Sequence, residues 1–314
     1  METPVFFEPI PVERVWGGRR AESLPGKKLP HAKPIGELWE IVDRPEAQSI
    51  AAGGPLDGLS LHDLWTTRRA AIFGIEYLPH PSPRFPLLIK ILDAAEKLSV
   101  QVHPPQNRAA ELGGEPKTEV WYFLESDANA SIYAGLKNST TRAHFEQLLA
   151  TGGVESVLHE IPVRTGESIF IPSGRLHAIG SGNLIIEIQQ NSDTTYRVFD
   201  WNRCGLDGKP RELHIPQSLA SIDFEDFEPS IKSAADPLVA DCPLFRVEKI
   251  ILDSPKDPRP AGRFAIAVPL DAPVSCGGIE IPRGRFFLLP ASASRLEVSP
   301  CAGAASLLVA TLPA

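Results

Sequence analysis

The 314-residue sequence predicts a mainly β protein carrying a small helical insertion. Proline and glycine are frequent, at 31 and 24 residues, which interrupts long helices and favours short strands joined by turns. Short runs of β-branched, aromatic or alternating apolar residues recur through the middle of the chain. Helical periodicity is confined to two stretches.

In chain order, the first helical stretch is Ser60 to Phe73, where Leu61, Leu64, Trp65 and Ile72 recur at roughly helical spacing behind a serine cap. Strands are expected over Leu87 to Leu92 and Glu119 to Leu124. The second helix, Thr141 to Ala150, ends at Gly152 and Gly153. Three further strands are expected, over Ser168 to Ile171, Leu184 to Gln189 and Thr194 to Trp201. The helices read as an insertion, about residues 57–80 and 139–152, on a β scaffold. IPVRTGESIFIPSG from Ile161 is echoed by IPRGRFFLLPAS from Ile281, both reading as turn, strand and proline-marked exit, which two related barrels would explain. Arg295 stands in the second copy where the first has His177, so only the first barrel, residues 1–232, is expected to carry metal chemistry. A polar, proline-bearing stretch near Glu228 to Pro237 marks the boundary to a metal-free second β domain, 233–314.

Composition narrows the function. A net charge of −8 argues against general nucleic-acid binding, and no apolar run is long enough to span a membrane. The first residues lack the basic start and apolar block of a signal peptide, so a cytoplasmic location is expected. Four scattered cysteines, Cys204, Cys242, Cys276 and Cys301, read as free thiols. An anionic small molecule would need a local basic pocket, for which Lys97, Lys117, Arg175, Arg197 and Arg203 are the nearby cations.

Two short clusters and one spaced motif carry the chemistry. In Gln101-Val102-His103, strand alternation puts Gln101 and His103 on one face. Lys117-Thr118-Glu119 repeats the arrangement and adds an anionic oxygen. Gly166, Pro172, Gly174 and His177 follow in the order and spacing of the second cupin motif, although its closing asparagine is replaced by Ser181, with Asn183 beyond. Two imidazoles and a carboxylate suit zinc with positions left open for substrate, and suit Fe(II) or Mn(II) as well. His31, His62, His80, His144, His159 and His214 have no such context and read as ordinary surface or core residues; Glu187, alternating with isoleucines, reads as a half-buried strand position.

LSVQVHPP at Leu98 to Pro105, KTEVWY at Lys117 to Tyr122, IPSGRLHAIG at Ile171 to Gly180 and QQNSDTTYRVFDWNR at Gln189 to Arg203 together resemble the blocks of the mannose-6-phosphate isomerase family, short bacterial type I form. VWGG from Val15, GELWEI from Gly36 and FPLLIKILDA from Phe85 extend the likeness over most of residues 1–220. The resemblance implies a cupin barrel with His103, Glu119 and His177 on one zinc per chain and Gln101 as a further ligand or close neighbour. It matches Arg197 to the family's catalytic arginine, places Lys117 near the reacting carbons, and makes Ser99, Lys97 and Gln101 candidates for binding a sugar phosphate. The implied reaction moves a proton between C1 and C2 of mannose 6-phosphate and fructose 6-phosphate through an enediolate, whose oxygen a metal and a guanidinium would stabilise. Lys117 is pulled two ways: toward a lower pKa by a nearby cation and toward a higher one by Glu119. A monomer or homodimer is expected. The alternatives are a cupin metal-dependent oxygenase and a non-catalytic sugar-binding cupin.

Overall fold

The computed structural model describes residues 2–313 and is built mainly from antiparallel strands. The first part of the chain forms β1 (Phe6–Phe7), β2 (Ile10–Gly18), β3 (Ile35–Ile41), β4 (Ala51–Ala52), β5 (Leu87–Ala94), β6 (Val100–Val102), β7 (Glu119–Ser126), β8 (Ser131–Leu136), β9 (Leu158–Pro162), β10 (Ser168–Ile171), β11 (His177–Ile179), β12 (Asn183–Gln190) and β13 (Tyr196–Phe199). A six-stranded sheet, β10-β7-β12-β5-β2-β3, faces a five-stranded sheet, β13-β6-β11-β8-β9. Between them lie Trp121, Phe123, Ile132, Ile171 and Ile185. This is the cupin barrel that the spaced motif predicts.

The remainder forms β14 (Leu238–Asp241), β15 (Arg246–Leu252), β16 (Ala265–Pro269), β17 (Val274–Cys276), β18 (Ile279–Ile281), β19 (Phe287–Leu289), β20 (Val298–Pro300) and β21 (Ala305–Thr311). Its sheets, β14-β15-β21-β16-β19 and β18-β17-β20, enclose Val274, Ile281, Phe287 and Leu307. The change of sheet falls between Lys232, which bridges back to Ser168, and Leu238. The six-stranded sheet is covered on both sides: Ile89, Ile91, Ile186 and Ile188 pack toward Val247, Ile266 and Val268 of this second unit. That double burial explains why β5 and β12 read as nearly continuous apolar runs instead of a clean alternation.

Four α-helices complete the chain: α1 (Leu61–Thr67), α2 (Arg69–Ile72), α3 (Arg142–Thr151) and α4 (Ile215–Ser221). The helix expected over Ser60 to Phe73 is divided at Arg68, whose φ of −128° is not helical; Ser60 caps α1 reciprocally with Asp63. Phe73 then meets Phe264 with ring centroids 5.1 Å apart, so the insertion wedges against the second unit. Helices α3 and α4 cover the outer face of the five-stranded sheet, where Phe145, Leu148 and Leu219 meet Val100 and Val198. α4 has only seven residues and follows no clear apolar period, and the sequence analysis did not anticipate it. The strand expected over Thr194 to Trp201 is shorter at both ends, because Thr194 is drawn to the histidine described below and Trp201 and Asn202 turn the chain at φ 55° and 56°.

The internal echo has a structural counterpart. Gly166 before β10 and Gly284 before β19 both take left-handed φ, 89° and 76°. Arg295, at the place of His177, is an exposed partner of Glu297. All four cysteines are unpaired. Among the described residues no helix is long and apolar enough to cross a membrane.

Candidate metal centre and active-site cavity

The two facing sheets bring together side chains far apart in sequence. His103 follows directly on β6, His177 opens β11 in the same sheet, and Glu119 opens β7 in the sheet opposite. Their ligand atoms all lie within 4.8 Å of one another, and all three residues are buried. His103 Nε2 and His177 Nε2 each stand 3.6 Å from a Glu119 carboxylate oxygen.

The outer nitrogens of the two imidazoles are committed elsewhere. His103 Nδ1 lies 2.8 Å from the Thr194 carbonyl, and His177 Nδ1 lies 2.8 Å from the Arg175 carbonyl. A carbonyl can only accept, so each Nδ1 carries the proton and each neutral ring turns an Nε2 lone pair inward. Those two nitrogens are buried and have no hydrogen-bond partner, and the buried Glu119 Oε2 has the Lys117 ammonium beside it. Burial and the neighbouring His103 push the His177 imidazolium down to about 3. For Glu119, burial acts upward, but Lys117 and His103 outweigh it and hold the carboxyl well below the ordinary range. Neutral imidazoles and an ionised carboxylate aimed at one point are the donor set of a divalent cation, and the residues fit one.

A cavity of about 590 Å³ opens beside this point, walled by Gln101 and Lys117, the same-face neighbours of His103 and Glu119, and by Ser99, Lys90, Glu187 and Arg197. Register places them. Gln101 on β6 is opposite His177 on one side and Arg197 of β13 on the other, so the three form one row across the sheet. Lys117 Nζ is 2.9 Å from Glu119 Oε2 and 3.4 Å from Glu187 Oε1. Burial lowers the Lys117 pKa, but those two carboxylates prevail and raise it above the ordinary lysine range, which decides the two-way pull in this structure. Arg197 donates from Nη1 to the Glu212 carbonyl at 2.8 Å, while its buried Nε has no partner.

The type I phosphomannose isomerase catalytic-domain model matches residues 8–130, a span that carries His103 and Glu119 but stops short of His177 and Arg197. The mannose-6-phosphate isomerase ManA of Bacillus subtilis is 39% identical over 222 residues, covering 70% of this chain and 68% of the relative. That of Streptococcus mutans is 40% identical over 220 residues, covering 70% and 67%. The chain belongs to the type I phosphomannose isomerase family. Its structure agrees over 99% of this chain and 100% of the other with the crystal structure of the Bacillus subtilis mannose 6-phosphate isomerase, at TM-score 0.83 and 29% identity. Membership in an isomerase family takes the place of the oxygenase and non-catalytic readings.

Of the site residues expected for this family member, His103, Glu119 and His177 come together, and Gln101, Lys117, Ser99 and Arg197 wall the cavity beside them. Lys97 does not. Its Nζ is 3.0 Å from Glu155, 3.3 Å from the Tyr133 hydroxyl and 4.4 Å from the centre of the Trp201 ring, away from the cavity wall. Alternation counted back from His103 would point Lys97 inward, but β6 begins only at Val100, so the count fails there. Lys90 and Glu187 are among the cavity residues that sequence reasoning missed. Lys90, buried in the middle of β5, lies 3.5 to 3.7 Å from carboxylate oxygens of Glu37, Glu187 and Asp193. A lysine inside FPLLIKILDA was the available signal. Glu187, read from its alternation as structural, is buried between Lys90 and Lys117, with Oε1 lacking a hydrogen-bond partner.

Proposed function

We propose that this chain interconverts mannose 6-phosphate and fructose 6-phosphate, moving a proton between C1 and C2 through an enediolate, with one zinc ion per chain held by His103, Glu119 and His177. The observation that carries the reading is the convergence of two buried, unpartnered imidazole nitrogens and the buried Glu119 carboxylate beside a cavity lined by Lys117, Gln101 and Arg197. Zinc bound there would supply Lewis-acid stabilisation of negative charge on the sugar oxygens.

The chain's own residues do the rest. Gln101, between His177 and Arg197 in the row of facing positions, offers its amide to the cation or to a sugar hydroxyl. Arg197 supplies a positive charge that does not deprotonate, with the Glu212 carbonyl fixing its plane and its Nε left free to donate to the enediolate. The proton taken from C2 and returned to C1 is held by the buried Lys117–Glu187 pair, 3.4 Å apart, on the opposite wall. Ser99, just before β6, lines the cavity beside Gln101 and orients the sugar. The absence of a membrane-crossing helix among the described residues accords with a cytoplasmic enzyme.

The test is a coupled assay of mannose 6-phosphate conversion on metal-stripped protein, with and without zinc, beside His103→Ala. Zinc-restored turnover that the variant lacks supports both the reaction and the ligand set. A folded protein that turns over no mannose 6-phosphate with any divalent metal sinks the assignment.

A further inference from the structure

The charges around the cavity are unevenly compensated. On the wall formed by the six-stranded sheet, every cation has carboxylates beside it. Arg14 Nε donates to Glu37 at 2.7 Å, Lys90 has three carboxylates within 3.7 Å, and Lys117 lies within 3.4 Å of both Glu119 and Glu187. An incoming dianion meets acids there and is repelled.

The opposite end, built by β13 and the 200–214 loop, is different. Arg197 has no carboxylate partner. Arg211 and Arg203 share the buried Asp200: Arg211 donates from Nε to Oδ2 at 2.6 Å and from Nη2 to Oδ1 at 2.5 Å, and Arg203 Nε donates to Oδ1 at 3.0 Å. Two guanidiniums thus grip one buried carboxylate and a third, Arg197, lies nearby without one, an excess of two positive charges over the buried acid. The remaining acids nearby are exposed: Glu96 is 3.9 Å from Arg203, Glu212 follows Arg211, and Asp207, on a turn at the rim of the cavity, accepts from the Lys209 backbone N–H. Arg203 also donates from Nη1 to the Lys97 carbonyl, and Trp201 Nε1 donates to the Leu98 carbonyl at 2.6 Å, tying this loop to the approach of β6.

Arg197 and Arg211 both line the cavity, and the Glu212 carbonyl that holds Arg197 belongs to the residue after Arg211, so the two guanidiniums are neighbours. Burial and the charges of Arg211 and Arg203 lower the Arg197 pKa and outweigh the opposing pull of Asp200. A phosphate monoester carries about −1.5 to −2 charges near pH 7, which matches the excess, and a guanidinium fork suits its oxygens.

We propose that Arg211 is the residue that selects phosphorylated over free sugars: it takes the phosphate dianion of the substrate, Arg197 adding its charge from the side of the reacting carbons, and Asp200 is the positioning residue that presents the Arg211 guanidinium. The assignment rests on the sugar-phosphate reading of this cavity, and it orients the substrate with its phosphate at the loop and its other end toward His103, Glu119 and His177. It also puts the phosphate at Arg211, which is not among the cations that the sequence offers for an anionic ligand.

Binding measured without turnover tests it. Inorganic phosphate, mannose 6-phosphate and free mannose are titrated calorimetrically into the metal-free full chain, wild type, Arg211→Ala, Arg211→Lys and Asp200→Asn, with melting curves to confirm folding. The wild type binds inorganic phosphate, and mannose 6-phosphate displaces it. Arg211→Ala weakens both about 10- to 100-fold, the loss expected for hydrogen bonds to a charged group, and leaves free mannose as it was. Arg211→Lys recovers part of the loss by charge alone, and Asp200→Asn weakens phosphate while Arg211 is still present. Should Asp200→Asn fail to fold, the Arg211 pair decides. No phosphate binding by the wild type, undiminished binding by Arg211→Ala, or equal losses for mannose 6-phosphate and mannose would overturn the proposal. Absence of isomerase turnover would instead count against the reaction and leave these titrations readable.

Discussion

Removing the His177 imidazole separates a metal centre from a coincidence of buried polar atoms. In the folded chain its Nε2 is buried without a partner, so a cation bound there adds an interaction that the unfolded chain cannot reproduce. At free zinc a thousandfold above Kd, binding stabilises the native state by about 4 kcal/mol. Unfolding entropy of about 2.1 cal/mol/K per residue gives roughly 0.66 kcal/mol/K for a chain of this length, so zinc should raise Tm by about 6 °C. His177→Ala also leaves a cavity beside Trp121, whose ring centroid lies 5.4 Å away, costing about 2 kcal/mol and thus about 3 °C without metal. The two effects are separated by scanning calorimetry of stripped wild type and variant, each with and without zinc. The variant should start slightly lower and show almost no zinc-dependent shift. If His177→Ala keeps the full shift, the cation binds elsewhere and the ligand set is wrong.

Two further perturbations probe the surroundings of the site. Burial alone would raise the Glu37 carboxyl, but Lys90 and Arg14 outweigh it and hold it at about 2. A depressed carboxyl adds stability above its unfolded value, here on the order of 3 kcal/mol, and loses it as pH falls from about 4.5 toward 2. Urea titrations across that range should show a shallower acid decline in Glu37→Gln, and an unchanged decline would mean that Glu37 carries no such linkage. Phe73→Ala deletes a fully buried ring packed against Trp65, Phe85 and Phe264 and should cost about 3 to 5 kcal/mol. Because these contacts lie outside the cavity, kcat/KM per folded molecule should hold, and a parallel loss of activity would tie the insertion to the site.

The residues of the candidate metal site were legible as a group because each rests on a local rule. Alternation along one strand pairs Gln101 with His103 and Lys117 with Glu119 without knowledge of any neighbouring strand, and the turn residues around His177 fix where its strand begins. Lys90, Glu37 and Glu187 obey a rule of a different range. Their association depends on β5 lying between β3 and β12, with Lys90 opposite Trp39 on one side and Glu187 on the other. No window along the chain contains that register. The double burial of the sheet compounds the difficulty, since apolar residues on both faces hide the alternation that would have marked Lys90 and Glu187 as facing the barrel.

Lys97 and Arg211 show the complementary failure, at loops. Lys97 lies next to a ligand-bearing strand in sequence, and proximity alone made it a phosphate candidate, yet it precedes the strand and its ammonium turns to Glu155 and Trp201. Arg211 lies fourteen residues beyond Arg197 in a segment with no strand or helix of its own, and only Asp200, gripping Arg203 and Arg211 together, carries it back to the cavity. Strands therefore explain where His103, Glu119 and His177 converge, while the loop carries the excess positive charge on which the proposed substrate orientation rests. A family match that stops at residue 130 carries the first of these for His103 and Glu119 and is silent on the second. On the proposal made for Arg211, substitutions in this loop change phosphate selectivity without touching His103, Glu119 or His177, because the two sets of residues lie on different kinds of structure.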